Sequence, residues 1–485
     1  MIEMKRLFFR AILALPVILA VSCDNNADFP LPDNIKPESE IINPLTVVAT
    51  LDENSSFSYL WRAGDELLVE YDGNISTLAL MKGSHSRTAQ FAGGLKGKVE
   101  STSVLTFRLK CQGGSSASLM EQDGTLEGAL SAGTFIGTAK YGTGNSISCD
   151  IAADFSILEL HILNPKSSGQ VEKGTLSYAD GTEELSSVSF FVGADGRGTA
   201  YMAVPAGTLA GGERLVCRLS GAETSSTMGS SSFDAGKMYE KTVCPGGIDI
   251  STVTGYFIVP NKGLIYGKGG VDTHIGIADG SSVTLLDVTN IDIGGGSHTW
   301  AGISCEGDAT ITLKGKNSLK GGNNNHPGIF VPEGKTLTIQ GDGELTTSSK
   351  GYAPGIGAPN KRPCGNIVIK GGKITAIGGG NSAGIGGALE SACGNITITG
   401  GDITATGGLC AAGIGTGFDG HCGNITITNT VTKVTATKGS SAMSCIGRGY
   451  PNPNHPNTCY CGTVTIGGKK YGGDGVTDWS FTYQP

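Results

Sequence analysis

The chain has 485 residues, which at about 150 residues per domain corresponds to two to four domains. Glycine is unusually frequent: 78 of the 485 residues are glycine, more than twice the ordinary share of about 7%. No strict Gly-X-Y period is present, which excludes collagen. Charged residues make up only 16% of the chain and the net charge is −8. This composition excludes a highly charged disordered protein and argues against a nucleic-acid partner.

The N-terminus has the pattern of an export signal. Basic residues precede an apolar run over residues 11–21, which is too short for a membrane-spanning helix of about 20 residues. The run ends in Leu-Ala-Val-Ser before Cys23, which resembles a bacterial lipobox. The resemblance implies a lipoprotein signal peptide over residues 1–22, acylation (palmitate) of Cys23 and attachment to the cell outer membrane, with display at the surface. The alternative is an ordinary signal peptide followed by an unrelated cysteine.

Residues 23–46, which contain several prolines, are predicted to be a tether. The following residues, 47–246, form short alternating or apolar runs separated by Gly, Asp and Asn. Such runs are typical of strands in an all-β domain, and the pattern predicts a β-sandwich. Examples of these runs are residues 66–71, 104–109, 156–163 and 188–192.

Five motifs in this region occur in the order found in fimbrillin-family lipoproteins. They lie at residues 57–69, 88–93, 155–162, 201–207 and 236–239. The first contains Trp61-Arg-Ala-Gly-Asp65 and resembles the W-x-x-G-D opening of that family. The resemblance implies a two-part β-sandwich that serves as a pilus subunit, an anchor or a surface adhesin. Trp61 and Phe91 are expected in the core, and Gly64-Asp65 in a turn.

The resemblance also implies assembly by strand exchange after cleavage at a basic residue near the N-terminus. The chain departs from that pattern, because Lys36 is the only basic residue between Cys23 and Leu51. A second domain also occupies the C-terminus, where such subunits keep an exchangeable strand. A fimbria-associated anchor, a tip or a stand-alone adhesin therefore fits better than a stalk subunit.

Residues 250–485 are a repeat region. A Gly-Ile pair recurs every 26 to 32 residues, and an apolar-Thr-apolar step recurs between the pairs. Each repeat offers about three short strands, so the pattern predicts a right-handed parallel β-helix (β-solenoid) with Ile and Val inside, Thr outside and Gly at corners. A β-propeller, whose blades are longer, is the alternative. The pairs begin at residues 276, 302, 328, 355, 384 and 413, with a degenerate copy at Cys445-Ile446.

The sequence Cys-Gly-Asn recurs at Cys364, Cys393 and Cys422, at intervals of 29 residues. In a solenoid these cysteines would stack about 4.8 Å apart, which lies within the Cα range of disulfides. The prediction is either a disulfide such as Cys364–Cys393 or a ladder of unbonded, buried cysteines. The asparagines would satisfy backbone groups at a turn. No metal site is predicted, because no CxxC with matching histidines is present.

The repeat region gives no positive case for catalysis. A lyase would need acidic calcium ligands and a basic residue, and a hydrolase would need paired carboxylates. No cofactor motif is present, and we predict a protein that is not an enzyme. The carboxylates considered are Asp342, Glu344, Asp402 and Asp419, and the histidines His298, His326, His421 and His455 are expected to be exposed loop residues.

An adhesive or structural role is the leading hypothesis, with other fimbrial subunits or host or bacterial surface glycans as partners. Carbohydrate binding is the alternative, because aromatic residues near the repeat loops could stack on sugars. A polysaccharide lyase or hydrolase is a weaker one. The candidate glycan-stacking residues are Trp300, Tyr352, Phe418 and Tyr450. Tyr460, Tyr471 and Trp479 are expected to cap the solenoid end.

Overall fold

A computed structural model describes residues 42–485, apart from residues 54, 58, 111–118, 165–169, 181–182, 209–212, 220, 228–231, 291–298, 323–324, 350 and 456. The predicted signal peptide, Cys23 and most of the predicted tether lie outside the described residues. The described part consists of strands, one short α-helix, α1 (Leu126–Ala132), and a 3₁₀ turn (Ile250–Thr252). This confirms the prediction of an all-β protein.

The first seven strands form a closed barrel in the order β1-β4-β3-β2-β5-β6-β7. Strand β1 closes it, because it pairs antiparallel with β4 along one edge and parallel with β7 along the other. It begins before the predicted domain boundary at residue 47. The strands are β1 (Ile42–Leu51), β2 (Glu66–Tyr71), β3 (Asn74–Lys82), β4 (Thr88–Lys96), β5 (Val104–Lys110), β6 (Phe135–Lys140) and β7 (Ser146–Ala153).

The next nine strands form two main sheets, β10-β9-β13-β14 and β11-β8-β16, and a small pair, β12-β15. The two main sheets share one hydrophobic core, in which Leu160 of β8 packs with Tyr178 of β9 and Phe190 of β10. The strands are β8 (Phe155–Leu163), β9 (Glu172–Asp180), β10 (Glu183–Val192), β11 (Arg197–Pro205), β12 (Gly207–Thr208), β13 (Glu213–Leu219), β14 (Ala222–Thr227), β15 (Ser232–Phe233) and β16 (Met238–Val243).

The prediction of a β-sandwich throughout residues 47–246 is therefore wrong for the first part of this region. Residues 42–153 close into a barrel, and only residues 155–243 form two packed sheets. The physical reason is that both edges of β1 are paired, which leaves this sheet without a free edge. Local strand patterns carry no information about such a closure, since barrel and sandwich strands alternate in the same way.

The Trp-Arg-Ala-Gly-Asp segment is structural. Trp61 is fully buried in the barrel core, with its ring edge-on to Phe91 at 4.9 Å between centroids, and its Nε1 donates to the Arg87 carbonyl. The buried Asp65 carboxylate accepts from the Tyr59 hydroxyl at 3.0 Å and from the Arg62 backbone N–H at 2.7 Å. The expected core positions of Trp61 and Phe91 are therefore observed, and Asp65 closes the turn by satisfying two buried donors.

The C-terminal half begins with fifteen strands. They are β17 (Ile248–Asp249), β18 (Gly255–Val259), β19 (Leu264–Lys268), β20 (Thr273–Ile277), β21 (Ser281–Asn290), β22 (Ile303–Cys305), β23 (Ala309–Lys314), β24 (Lys316–Lys320), β25 (Ile329–Phe330), β26 (Thr336–Gly341), β27 (Glu344–Ser348), β28 (Ile356–Gly357), β29 (Asn366–Ile369), β30 (Lys373–Ile377) and β31 (Ile385–Gly386).

Thirteen further strands complete it. They are β32 (Ala392–Cys393), β33 (Ile396–Ile398), β34 (Asp402–Thr406), β35 (Ile414–Gly415), β36 (His421–Cys422), β37 (Ile425–Ile427), β38 (Lys433–Thr437), β39 (Ile446–Gly447), β40 (Tyr460–Cys461), β41 (Val464–Ile466), β42 (Lys469–Gly472), β43 (Gly475–Val476) and β44 (Ser480–Tyr483).

These strands form a 16-stranded sheet, a nine-stranded sheet and a three-stranded sheet. The 16-stranded sheet consists of two ladders that meet at the long strand β21. The nine-stranded sheet is a third ladder, and a typical repeat contributes one strand to each of the three. Equivalent strands of successive repeats pair parallel and in register, as for β29, β33 and β37. Only the last strands, β42, β43 and β44, pair antiparallel with the ladders.

Identical side chains stack in rows inside this half. Ile367, Ile396 and Ile425 face one another in successive repeats and are completely buried, while Thr397 between the inward positions is only half-buried. One core cluster extends from Ile250 to Val476. Because a single repeat has apolar side chains on its interior face only, each repeat depends on its neighbours to bury them.

The first Gly-Ile pair does not align with the later ones as its spacing suggests. Gly276 pairs in register with Ser304 rather than with Gly302, whereas Ile303 and Ile329 do pair. The offset is two residues, and a shift of two leaves the inward and outward faces of a strand unchanged. The hydrophobic pattern therefore tolerates either register.

The recurring Cys-Gly-Asn sequence has a steric explanation. The Asn366, Asn395 and Asn424 side-chain oxygens each accept a hydrogen bond at 2.8 Å from the backbone N–H one repeat later. A Cβ on Gly423 would lie 2.5 Å from the Oδ1 of Asn395, the asparagine of the preceding repeat. Glycine is needed at this position because the asparagine side chain of the preceding repeat occupies the space of a Cβ. The glycine and asparagine positions of the motif therefore depend on each other.

We expect Gly423→Ala to destabilise the protein by about 1–3 kcal/mol, because its methyl group collides with Asn395. The same change should cost clearly less in an Asn395→Ala background, where that oxygen is absent. Thermal unfolding of the four proteins of this double-mutant cycle measures the coupling. Equal costs of Gly423→Ala in both backgrounds would show that the asparagine does not set the glycine requirement.

The two halves of the protein meet at a packed junction. Leu163, Cys244, Tyr266 and Leu286 form a small cluster that joins the last sheets of the N-terminal half to the first strands of the C-terminal half. Two ion pairs cross the same boundary, Arg197–Asp287 at 2.7 Å and the mostly buried Lys241–Asp249 at 2.8 Å.

We expect Asp249→Asn to loosen this junction by about 2–3 kcal/mol, because it leaves Lys241 with a largely buried, uncompensated charge. Asparagine keeps an acceptor for the Ser251 backbone N–H, which isolates the loss of charge. Limited proteolysis between residues 243 and 255 should become faster. Asp279→Asn is the matched control, since Asp279 also pairs with a lysine and accepts a backbone N–H but is exposed, and it should leave this cleavage unchanged.

Among the described residues, no helix has the length and apolar character needed to cross a membrane.

Candidate functional site

Three aromatic side chains from the first repeats lie on one another. Tyr256 of β18 stands opposite His274 of β20, with ring centroids 4.3 Å apart. Trp300, which precedes β22, stacks on His274 with centroids 5.0 Å apart and planes inclined by only 9°. The Trp300 Nε1 donates to the Thr273 carbonyl at 3.3 Å, which fixes the orientation of the indole.

The stack lies at a cleft of about 460 Å³. Successive repeats form its walls, because strands far apart in sequence pair with one another in the nine-stranded sheet. The cleft combines aromatic faces with amides, hydroxyls and charged groups. Its polar and charged lining consists of His274, Thr299, Ser304, Glu306, Asn325, His326, Asn360, Lys361 and Arg362, and its apolar lining of Trp300, Ala301, Phe330 and Pro359.

Hydrogen bonds hold most of the polar lining in place. The Tyr256 hydroxyl donates to the Glu306 carboxylate, and the His274 Nε2 lies 3.2 Å from the Ser304 hydroxyl. The Asn360 side-chain nitrogen donates to the Asn325 side-chain oxygen at 3.3 Å. The Asn360 Oδ1 is buried and has no hydrogen-bond partner among the described residues, so it is available as an acceptor for a bound molecule.

The charges in the cleft are unevenly compensated. Burial lowers the pKa of His274, and burial, with smaller contributions from Arg362 and His274, lowers the pKa of His326. Both imidazoles are therefore neutral near pH 7. Lys361 pairs with Glu390 at 2.9 Å, whereas the Arg362 guanidinium has no ion pair within the described part of the chain. Arg362 thus offers fork-shaped donors to an acceptor in the cleft.

The other predicted stacking residues lie elsewhere. Phe418 and Tyr450 stack on each other with centroids 6.2 Å apart and planes inclined by 21°. Tyr352 is 45% exposed and lies against Gly380 rather than against a described aromatic ring. The structure therefore brings Phe418 and Tyr450 together, and it places Trp300 in a cleft with aromatic residues that were not predicted to belong to a site.

The predicted cysteine row is present. Cys364 and Cys393 pair in register and are free thiols, while Cys422 is joined by a disulfide to Cys461. Of the predicted solenoid-end residues, Tyr471 packs against the core, whereas Tyr460 and Trp479 are more than half exposed. Cys23 and His298 lie outside the described residues.

A second, larger cleft of about 720 Å³ lies at the junction and contains Asp342 and Glu344. Glu344 pairs with Lys373 at 3.3 Å, and the neighbouring Asp287 pairs with Arg197. The Asp402 position faces Lys433 in the next repeat, and Asp419 accepts from the Thr458 hydroxyl. Within the described ranges, no group of three or more His, Cys, Asp or Glu side chains could hold a metal ion.

Solved structures similar to part of the chain come from Bacteroides. A Bacteroides ovatus ATCC 8483 protein provisionally assigned to cell adhesion is 11% identical, with a TM-score of 0.29 over 42% of this chain and 92% of its own. A Bacteroides uniformis ATCC 8492 protein with the same provisional assignment is 12% identical, with a TM-score of 0.27 over 41% and 93%. A fimbrial protein from Bacteroides ovatus ATCC 8483 is 11% identical, with a TM-score of 0.25 over 42% and 49%.

No family model and no curated protein matches the chain. Similarity at these TM-scores does not establish a shared fold or function.

Sequence reasoning missed Tyr256, His274 and Arg362, and it misjudged His326, which is half-buried in the cleft rather than exposed. A signal for two of them exists. Tyr256 and His274 each stand immediately before a three-residue segment, 257–259 and 275–277, whose first and third residues are apolar. They therefore occupy the same position in successive strands. No comparable signal marks Arg362, which lines the same cleft but lies 88 residues after His274 in the sequence.

Proposed function

We propose that the protein is an adhesive surface lipoprotein that binds carbohydrate through the cleft at Trp300. In this proposal, acylated Cys23 anchors the chain in the outer membrane, the barrel and sandwich form a fimbrillin-like N-terminal half, and residues 250–485 form a right-handed parallel β-helix. Three ladders of parallel strands in register support the β-helix. The export pattern over residues 1–22 supports the anchor. The role is that of a fimbria-associated anchor, a tip or a stand-alone adhesin.

The observation that carries the proposal is the aromatic stack at the wall of a polar cleft. A sugar ring presents an apolar C–H face and a rim of hydroxyl groups. Such a ring can pack on the exposed part of an indole while its hydroxyls exchange hydrogen bonds with side-chain amides, a combination of aromatic and polar contacts typical of small-molecule sites. Trp300 supplies the aromatic surface, and Asn325 and Asn360 supply the amides.

The alternative is hydrolysis or elimination of a polysaccharide at the junction cleft, where Asp342 and Glu344 lie. Glu344 and Asp287 are each engaged with a basic side chain, which favours a structural role for these carboxylates. We therefore propose no catalytic step, and the test of binding includes a search for products.

A glycan-array screen with the full mature chain tests the proposal, with a product assay on every glycan that binds. Saturable binding without cleavage is the expected result. Cleavage would replace the adhesin with an enzyme, and the absence of any binding would leave only a structural role.

Anchoring is tested separately, by labelling cells with a palmitate analogue and digesting intact cells with protease. The wild type should be labelled and cleaved at the surface, and Cys23→Ala should lose the label. Cys410→Ala is the matched control, since Cys410 is a partly exposed cysteine of the C-terminal half outside the lipobox, and this variant should keep the label. Equal labelling of wild type and Cys23→Ala would contradict the anchor.

A further inference from the structure

Four cysteines of the C-terminal half occupy one row across successive repeats. Cys364 pairs in register with Cys393, Cys393 with Cys422, and Cys422 with Cys461. All four side chains are buried, with exposed fractions between 3% and 7%. Each of the four cysteines is followed by a glycine, and each of the first three pairs with the equivalent cysteine of the next repeat, so the row repeats the same pairing at each step.

One step of this row already carries a covalent bond. Cys422 and Cys461 form a disulfide across 39 residues, with Cα atoms 4.7 Å apart. Cys364 and Cys393 stand in the same register relation two repeats earlier. A parallel ladder repeats its strand spacing at each step, and this spacing falls within the Cα range that disulfides accept.

The sulfur atoms of Cys364 and Cys393 also converge. Both thiols point at the same acceptor, the Gly365 carbonyl, with distances of 3.4 Å from the Cys364 Sγ and 3.7 Å from the Cys393 Sγ. The hydrogen bond between the two thiols, followed by burial, raises the pKa of Cys364 well above its ordinary value. The folded chain therefore holds both sulfur atoms around one carbonyl oxygen, an arrangement that suits a bond between them.

We propose that Cys364 and Cys393 form a second disulfide in the mature protein. The row then contains two bonds, Cys364–Cys393 and Cys422–Cys461, and the step between Cys393 and Cys422 stays open. The bonds fasten two pairs of neighbouring repeats, so that they resist separation in the exported chain. The inference does not depend on carbohydrate binding.

The chemistry is a thiol–disulfide exchange with a disulfide oxidant, such as the disulfide of a thiol oxidoreductase or of a small thiol. One cysteine thiolate attacks the oxidant and forms a mixed disulfide with release of one oxidant thiol. The second cysteine then attacks the mixed bond and releases the other thiol, so two protons and two electrons pass from the cysteine pair to the oxidant. Because both side chains are buried in the folded chain, the bond forms before the repeats close around the row.

The test is disulfide mapping of the full chain after refolding with reduced and oxidised glutathione, with free thiols alkylated in denaturant. Digestion by trypsin together with a protease that cuts beside Asp and Glu separates the cysteines of the row. Cleavage sites lie in each interval: Lys370 and Glu390 in the first, Asp402 and Asp419 in the second, and Lys433 and Lys438 in the third. Linked peptides containing Cys364 with Cys393, and Cys422 with Cys461, are expected. Alkylation of both Cys364 and Cys393 beside an intact Cys422–Cys461 bond would overturn the proposal.

A Cys461→Ser variant provides a harder test, because it frees Cys422 to compete for Cys393. The Cys364–Cys393 bond should persist, and a Cys393–Cys422 bond in its place, or a Cys305–Cys364 bond, would overturn the assignment. In a Cys364→Ser/Cys393→Ser variant, proteolysis within residues 364–393 should be faster by about tenfold or more, while the Cys422–Cys461 bond remains. An unchanged rate of proteolysis in that variant would show that the Cys364–Cys393 pair does not hold the two neighbouring repeats together.

Discussion

Ile396→Ala is expected to destabilise the C-terminal half by about 2–5 kcal/mol. Ile396 is completely buried in the middle of a ladder and faces Ile367 on one side and Ile425 on the other. Truncation removes contacts to both neighbouring repeats and leaves a cavity that stacked backbones cannot close without breaking their register. The substitution therefore weakens the packing at two interfaces between repeats.

Hydrogen exchange measured by mass spectrometry is the suitable readout, because stacked repeats can open locally and need not unfold in one step. Protection should fall most in residues 366–369, 396–398 and 425–427. Thr397→Ala is the matched control, since the neighbouring Thr397 points away from the core, and it should cost about 0.5 kcal/mol or less. A loss of protection spread evenly over the N-terminal barrel would contradict a repeat-local core.

The periodicity of the sequence was sufficient to predict the strands of the C-terminal half. Two sequence signals mark the inward positions of each repeat: the alternation of apolar and polar residues within a strand, and the recurrence of the same residue in the next repeat. The Ile367, Ile396 and Ile425 row follows directly from that redundancy. The register of the first repeats did not follow, because Gly276 aligns with Ser304 and the interior pattern is the same after a shift of two.

The barrel of the N-terminal half could not be predicted in the same way. Its closure depends on Val47 pairing with Phe91 on one side and with Ile147 on the other. These contacts join segments far apart in sequence, and no repeat connects them. The strands themselves were visible from their alternation, and the partners were not.

The candidate site was predicted only in part for a related reason. Trp300 was identified because an aromatic residue near a repeat loop can stack on a sugar. His274 and Arg362 belong to the same cleft, although 88 residues separate them in the sequence. The pairing of strands from successive repeats brings them together, and no local motif does. Their association therefore follows only from the register of those strands.

Trp300→Ala is expected to weaken glycan binding by about 30-fold or more, a loss of roughly 2 kcal/mol that is typical of a buried aromatic anchor. The indole supplies the flat surface of the cleft, and no other described residue of the cleft has a ring of comparable area. Isothermal titration with a glycan identified on the array measures the change. Trp300→Phe should retain part of the affinity, because a smaller ring still offers a face.

Trp479→Ala is the matched control, since Trp479 is 56% exposed, lies near the C-terminal end and is not part of the cleft. It should bind as the wild type does. Trp300 also stacks on His274, so hydrogen exchange of residues 273–277 has to show that the ladder persists in Trp300→Ala. With that ladder intact, unchanged affinity of Trp300→Ala would place the glycan outside this cleft, and the stacked pair Phe418–Tyr450 would be the next surface to test.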